Sequence, residues 1–167
     1  MMNTTTPPQF SINIYRGGHC VAEIKADSPK NLPAELKVTT VRDLISMAVI
    51  TEWQIPMGCH TDTGLVLIIS TPSQDQNQYE WVLGHELGHQ ANGDRDFNNV
   101  AHEVRADKYG MEFAGHSGRD ACISWLTVLI GRCREFLDGH PELPEQAVKE
   151  LTQVINIAIQ RFQILTS

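Results

Sequence analysis

Two histidines placed four residues apart, His85 and His89, constrain the local fold of this chain more than any other feature. On an α-helix, residues four apart lie about 40° from each other around the axis, so both imidazoles can reach one point. The polar residues 73–78 precede the pair, and Asn92-Gly93 follows it with a dipeptide that tolerates the left-handed conformation of a helix end. The sequence therefore predicts a helix over residues 77–91 that carries both histidines.

The residues between the two histidines complete an H-E-x-x-H motif, His85-Glu86-Leu87-Gly88-His89. With the histidine and glutamate content of this chain, about 0.02 such motifs are expected by chance. In this arrangement the histidines bind Zn²⁺, and the glutamate projects beside them, where it can take a proton from zinc-bound water. We therefore predict a zinc site with His85 and His89 as ligands and Glu86 as the catalytic base. The alternative is a pair of surface histidines on an amphipathic helix.

A catalytic zinc ion needs a third protein ligand, which we expect from the next helix, predicted over residues 97–114. At about 100° per residue, Glu103 and Asp107 fall on the apolar stripe of that helix, where unpaired carboxylates are costly to bury. Three charged residues instead form its outer stripe: Arg105, Lys108 and Glu112.

We predict Glu103 as the third ligand and Asp107 as the acceptor for the other N–H of a ligand histidine. Two alternatives stay open for this helix. The carboxylate pair could bind arginines or lie at a solvated edge, and His102 is a rival ligand.

The remaining periodicities predict an α+β fold with a small N-terminal antiparallel or mixed sheet and a helical C-terminal half. Strands are predicted over residues 9–15, 20–25 and 65–69, with a turn at Gly17-Gly18 and a loop over 55–64. Helices are predicted over 41–53, 119–138 and 144–165. We interpret residues 1–8 as a disordered tail and residues 9–167 as a single domain.

The bulk properties exclude some functions. The net charge is −7 and the pI is near 5.4, which argues against nucleic acid as the main partner. The sequence contains no apolar stretch of the roughly 20 residues that a membrane-spanning helix needs. Four cysteines without a C-x-x-C pair favour a reducing compartment, so we expect a cytoplasmic protein.

The motifs together resemble the HtpX-like zinc endopeptidases, a gluzincin family that includes the CAAX prenyl proteases, over roughly residues 64–151. Residues 82–89 match the core motif of that family, residues 64–70 its preceding strand, and residues 103–110 its E-x-x-A-D-x-x-G segment. The resemblance implies a minimal, soluble, zincin-like metalloendopeptidase that hydrolyses a peptide or protein substrate. It also implies that Glu103 is a zinc ligand and that Asp107 supports the site.

The resemblance also covers His140-Pro141, which corresponds to a His-Pro motif near the family's active site. His140 is accordingly a candidate for stabilising the oxyanion, with Tyr109, His116 and Arg119 as alternatives. The chain departs from the family at Gln146, where an arginine is usual, and at Asp94, where a histidine is frequent.

Three other functions remain open. The departure at Gln146 is compatible with a latent or inactive zinc-binding protein. A weaker similarity, through H-E-L-G-H, is to ImmA-type peptidases that cleave repressors. A regulatory interaction protein would instead use its terminal helices, of which 144–165 carries the apolar stripe Val148, Leu151, Val154, Ile155, Ala158 and Phe162, although such a stripe is more typical of a core.

Overall fold

The computed structural model describes residues 10–26, 55–61, 63–71, 74–94 and 99–167. These residues form an α+β arrangement, as predicted, and the chain divides into two compact units, Met1–Asp75 and Gln76–Ser167. The predicted tail over 1–8 and the predicted helix over 41–53 lie outside the described residues. The interpretation of 9–167 as one domain stays a prediction.

The first unit contains a four-stranded antiparallel sheet in the order β2-β1-β4-β3. The strands are β1 (Phe10–Arg16), β2 (His19–Ala26), β3 (Met57–His60) and β4 (Leu65–Ser70). Gly17 and Gly18 join β1 to β2 with positive φ angles of 57° and 79°, which a two-residue hairpin turn requires. Alternate residues of the strands form the core of the sheet: Ile12, Ile14, Cys59, Leu67 and Ile69.

The prediction of a loop over residues 55–64 is wrong for Met57–His60, which form strand β3. The segment Met57-Gly58-Cys59-His60 is short, and its glycine weakens strand propensity, so the sequence pattern does not mark it as a strand. It is a strand because it pairs with β4, from Met57 opposite Ile69 to His60 opposite Val66. Met57 and Cys59 are buried by this pairing, while the two alternate residues are partly exposed.

The second unit is helical and contains every predicted site residue. Its α-helices are α1 (Gln76–Asn92), α2 (Val100–Ala114), α3 (Gly118–Gly139) and α4 (Glu145–Thr166), and a 3₁₀ turn spans Gly115–Ser117. These four helices agree with the predictions to within a few residues at each end. Asn99 caps α2 by accepting a hydrogen bond from the backbone N–H of His102 at 3.1 Å.

The glycines of α1 allow close contact between α1 and α2. A Cβ atom at Gly84 would lie 2.6 Å from Cβ of Phe113 and 2.9 Å from Cα of Gly110. A Cβ atom at Gly88 would lie 2.8 Å from Cβ of Tyr109. Only glycine fits at these contacts, so the sequence brings the histidine helix close to the helix that carries Glu103.

Helix α4 buries part of the predicted stripe, Ile155 and Ala158, together with two residues that lie outside it. Its buried residues are Ile155, Ala158, Arg161 and Leu165, whereas Val148 and Val154 are 39% and 42% exposed. The helix therefore turns an arginine, and not only apolar groups, toward the interior of its unit. Among the described residues, no helix is both long and apolar enough to cross a membrane.

Candidate metal centre

Helix α1 places His85 and His89 side by side, as their four-residue spacing predicts. Their Nε2 atoms are 3.1 Å apart, and the rings meet edge to face with centroids 4.6 Å apart. Both residues are buried, at 7% and 4% exposure. Two imidazole nitrogens held this close within a protein interior favour a shared cation or proton between them.

Glu103 of helix α2 lies beside the Nε2 atoms of both histidines. One carboxylate oxygen, Oε2, lies 3.2 Å from Nε2 of His85, and the other, Oε1, lies 3.3 Å from Nε2 of His89. The Glu103 side chain is 12% exposed. The structure therefore brings the three predicted ligands together.

The spacing of these three side chains fits a tetrahedral metal ion. Each offers one ligand atom, and these atoms all lie within 4.8 Å of one another. Ligand bonds of 2.0–2.1 Å around zinc place tetrahedral ligands about 3.3 Å apart, close to the observed contacts of 3.1 to 3.3 Å. Two nitrogens and one carboxylate are also a ligand set that zinc accepts while keeping a fourth position for water or substrate.

The outward-facing nitrogen of His85 is held by Asp107. Nδ1 of His85 donates to Oδ1 of Asp107 at 2.9 Å, and Asp107 is fully buried. Arg161 of α4 donates to both carboxylate oxygens of Asp107, from Nε at 2.9 Å and from Nη2 at 2.5 Å. Asp107 thus accepts from a candidate ligand, as predicted for it, and also binds an arginine, which was the alternative.

The outward-facing nitrogen of His89 has an equivalent partner in Asp94. Nδ1 of His89 lies 3.1 Å from Oδ2 of Asp94, whose other oxygen accepts a hydrogen bond from Arg105. His102, the rival ligand, lies at this second carboxylate, with Nδ1 3.5 Å from Oδ1 of Asp94. Each histidine is therefore oriented by a carboxylate that contacts an arginine. The two arginines differ in exposure, because the side chain of Arg105 is 48% exposed and that of Arg161 is 8% exposed.

The electrostatics of the cluster favour charged groups despite burial. Burial alone would lower the pKa of His85, but the contacts with Asp107 and Glu103 outweigh it and raise that pKa to about 10. Burial would raise the pKa of Glu103, yet both histidines and Arg161 hold it well below its usual range. The pKa of Asp107 is likewise lowered by Arg161 and His85 against the effect of burial. In the absence of metal, the cluster thus retains a proton on His85 that a cation would displace.

Glu86, the predicted base, is buried at 7% exposure on α1. It follows His85 directly, about 100° further around the helix axis, and lies about 60° from His89. The role predicted for Glu86 as the base stays a prediction.

His140 makes no hydrogen bond or ring contact with His85, His89 or Glu103. Trp125 of α3 lies near the histidines, because its ring centroid is 5.2 Å from that of Trp81, which is 5.4 Å from that of His85. Fifteen residues separate Trp125 from His140 at the end of the same helix, about 22 Å along the axis. There Nδ1 of His140 bonds to the carbonyl oxygen of Phe136 at 2.9 Å, and the two rings stack. The role predicted for His140 at the oxyanion stays a prediction.

The other donors considered for an oxyanion make no hydrogen bond with the three ligands. Nη2 of Arg119 donates to the carbonyl oxygen of Leu165 at 2.9 Å, and His116 is exposed in the 3₁₀ turn. Tyr109 packs against Gly88 and is 41% exposed.

Arg161, Asp94 and Trp81 belong to the surroundings of the site but were not predicted from the sequence. Trp81 donates from Nε1 to the backbone carbonyl of Asp107 at 3.3 Å. Arg161 could have been found by the same test as Asp107, since both are charged residues on the buried stripe of a helix. Asp94 was noticed only as a departure from a family pattern, and nothing in its spacing predicts its contact with His89.

Comparison with known proteins leaves the chain unassigned to a family. It matches no protein-family model, no curated protein and no solved structure.

Proposed function

We propose that this protein is a zinc-dependent metallopeptidase with His85, His89 and Glu103 as ligands. The observation that carries the proposal is the convergence of these three side chains at contacts of 3.1 to 3.3 Å, close to the edges of a zinc tetrahedron. The nitrogen of each histidine that faces away from this point is already paired with a carboxylate, which fixes the direction of the metal-binding nitrogen.

Each residue then has a chemical role. When bound, zinc supplies Lewis acidity toward a peptide carbonyl and lowers the pKa of a coordinated water toward 7. Glu86 accepts the proton of the attacking water and passes it to the leaving amine. Asp107 and Asp94 hold the imidazoles of His85 and His89 in the tautomer that leaves Nε2 free for the metal.

We further propose that the chain is a minimal member of the HtpX-like family, with a peptide or protein as substrate. The support is the order H-E-x-x-H, then Glu103 and Asp107 on the next helix, together with the contacts among His85, His89, Glu103 and Asp107. A cytoplasmic location is supported by the cysteines, since all four are free thiols.

The test combines metal analysis with a generic proteolysis assay on three proteins: wild type, Glu86→Gln and Glu80→Gln. Glu80 is an exposed glutamate on the same helix, so its replacement is a matched control. We expect about one zinc ion per chain in all three, with cleavage lost only in Glu86→Gln. Cleavage by Glu86→Gln at the wild-type rate would refute the assignment of the base, and a metal-free wild type after zinc loading would refute the site.

A second candidate function is a zinc-binding protein without hydrolytic activity. It is favoured by the position of His140 and by Gln146, whose side chain bonds to Glu150 on the exposed face of α4 and supplies no charge. The same experiment separates the two functions. Stoichiometric zinc without cleavage of any substrate would support the binding protein, whereas cleavage that depends on Glu86 would eliminate it.

A further inference from the structure

Arg161 lies inside the helical unit although arginine is rarely buried without a purpose. Its side chain is 8% exposed, and it reaches Asp107 from 54 residues further along the chain. The contact uses two parallel N–H donors, Nε and Nη2, against the two carboxylate oxygens. Such a two-point contact fixes the plane of the carboxylate as well as its charge.

The same guanidinium also faces the candidate ligand Glu103. Its remaining nitrogen, Nη1, lies 3.8 Å from Oε2 of Glu103, the oxygen nearest to His85. The centre of the guanidinium lies 5.8 Å from the ring centroid of Trp125, which covers it from one side. Arg161 therefore adjoins both the carboxylate that orients His85 and the carboxylate proposed to bind the metal.

We infer that Arg161 is a positioning residue of the metal centre, through which the docking of α4 becomes a condition for tight metal binding. The inference rests on the proposed zinc site. Arg161 holds Asp107 in the plane in which it accepts from Nδ1 of His85, and this orients Nε2 of His85 toward the other ligands. Its positive charge also offsets that of two neighbouring carboxylates, Asp107 and Glu103, and so keeps both ionised in the interior.

The effect of zinc on α4 distinguishes a positioning role of Arg161 from simple anchoring of that helix. If Arg161 links the metal site to α4, then metal binding must stabilise the docked helix by the same factor by which docking improves metal affinity. Zinc should therefore slow amide hydrogen exchange in the buried turns of α4, around residues 155–165. Zinc binding also slows exchange throughout a protein by stabilising the native state. The slowing in α4 that depends on Arg161 is therefore the part that is lost in Arg161→Gln.

The test compares Arg161→Gln with Arg119→Gln in the full chain. Arg119 is a matched control, because it also binds α4, at the carbonyl oxygen of Leu165, but makes no hydrogen bond or ion pair with the three ligands or Asp107. We expect Arg161→Gln to weaken Zn²⁺ binding by about 10- to 100-fold, as for other residues that orient ligands, and Arg119→Gln to leave it within about threefold. Zinc affinity is measured by competition with a chelator, and the geometry by the visible spectrum of the Co²⁺-loaded protein, which should change only in Arg161→Gln.

Arg161→Lys keeps the test decisive if the glutamine variant does not fold. Lysine retains the buried charge but not the two-point contact, so we expect a folded protein with weaker zinc binding and an altered Co²⁺ spectrum. Wild-type affinity and spectrum in either Arg161 variant, or an equal loss in Arg119→Gln, would overturn the inference. Wild-type protein that binds no zinc would instead overturn the proposed function, and this inference with it.

Discussion

Replacing Gly84 by alanine places a methyl group at the closest approach of α1 and α2. Its Cβ atom would lie 2.6 Å from Cβ of Phe113 and 2.9 Å from Cα of Gly110, whereas ordinary van der Waals contact begins at 3.4 Å. Neither neighbour is the far end of a flexible side chain. The helices must therefore separate by several tenths of an ångström, and His85 moves away from Glu103.

Two opposing terms set the size of the effect. Alanine in a helix interior gains up to about 1 kcal/mol over glycine. Overpacking a well-packed contact costs typically about 1–3 kcal/mol, and the depth of this overlap places Gly84→Ala at the upper end. We expect a net loss of about 2 kcal/mol in the free energy of unfolding. For a chain of this size, that loss lowers the melting temperature by roughly 4–8 °C.

The assay is urea unfolding and zinc competition on wild type, Gly84→Ala and Gly131→Ala. Gly131 lies within α3 and has no neighbouring atom within 4 Å of an added Cβ, so its replacement should raise stability by up to about 1 kcal/mol. Zinc affinity should fall in Gly84→Ala alone. Equal stabilisation of the protein by both substitutions would show that the close approach of α1 and α2 is not a constraint on this site.

Three further outcomes are expected. Glu103→Gln should reduce zinc affinity by more than about 100-fold, beyond the effect of changing an orienting residue. Titration with a chelator measures the affinity, and a loss under tenfold would contradict the assignment of Glu103 as a ligand. The raised pKa of His85 means that a proton competes with the metal up to about pH 10. Zinc affinity should therefore increase by up to about tenfold per pH unit between pH 6 and 8. An affinity independent of pH would contradict the retained proton. Burial raises the pKa of Cys122 and Cys133. Among the described cysteines, the exposed Cys20 should therefore react first with a thiol reagent in the native protein. Cys20→Ser should abolish the fast phase of that reaction.

Features fixed by short-range patterns were predictable from the sequence. The helix carrying His85 follows from the histidine spacing and from Asn92-Gly93 at its end, and the helix carrying Glu103 follows from its apolar stripe. Asp107 could be placed beside Glu103 because both interrupt the same apolar stripe. Gly84 and Gly88 each cost about 1 kcal/mol relative to alanine in a helix interior, and the close contact with α2 explains their presence.

Features that depend on contacts distant in sequence were not predictable in this way. Strand β3 exists through its pairing with β4 and has little strand propensity of its own. The contact of Arg161 with Asp107 joins residues 54 positions apart, so an apolar pattern on α4 does not predict the partner of this buried arginine. His140 was placed near the site only by resemblance, and the length of α3 separates it from the histidines.

The order of these contacts along the chain also bears on how the site forms during folding. His85, His89, Glu103 and Asp107 lie within a segment of 23 residues, so closing the loop between them costs little chain entropy. The contact between Asp107 and Arg161 spans 54 residues and includes the whole of α3. We therefore expect the hairpin of α1 and α2 to gather the ligands early, before α4 docks, and zinc to accelerate that early step. Stopped-flow refolding with and without zinc would contradict this order if the metal changed only the slow, final phase.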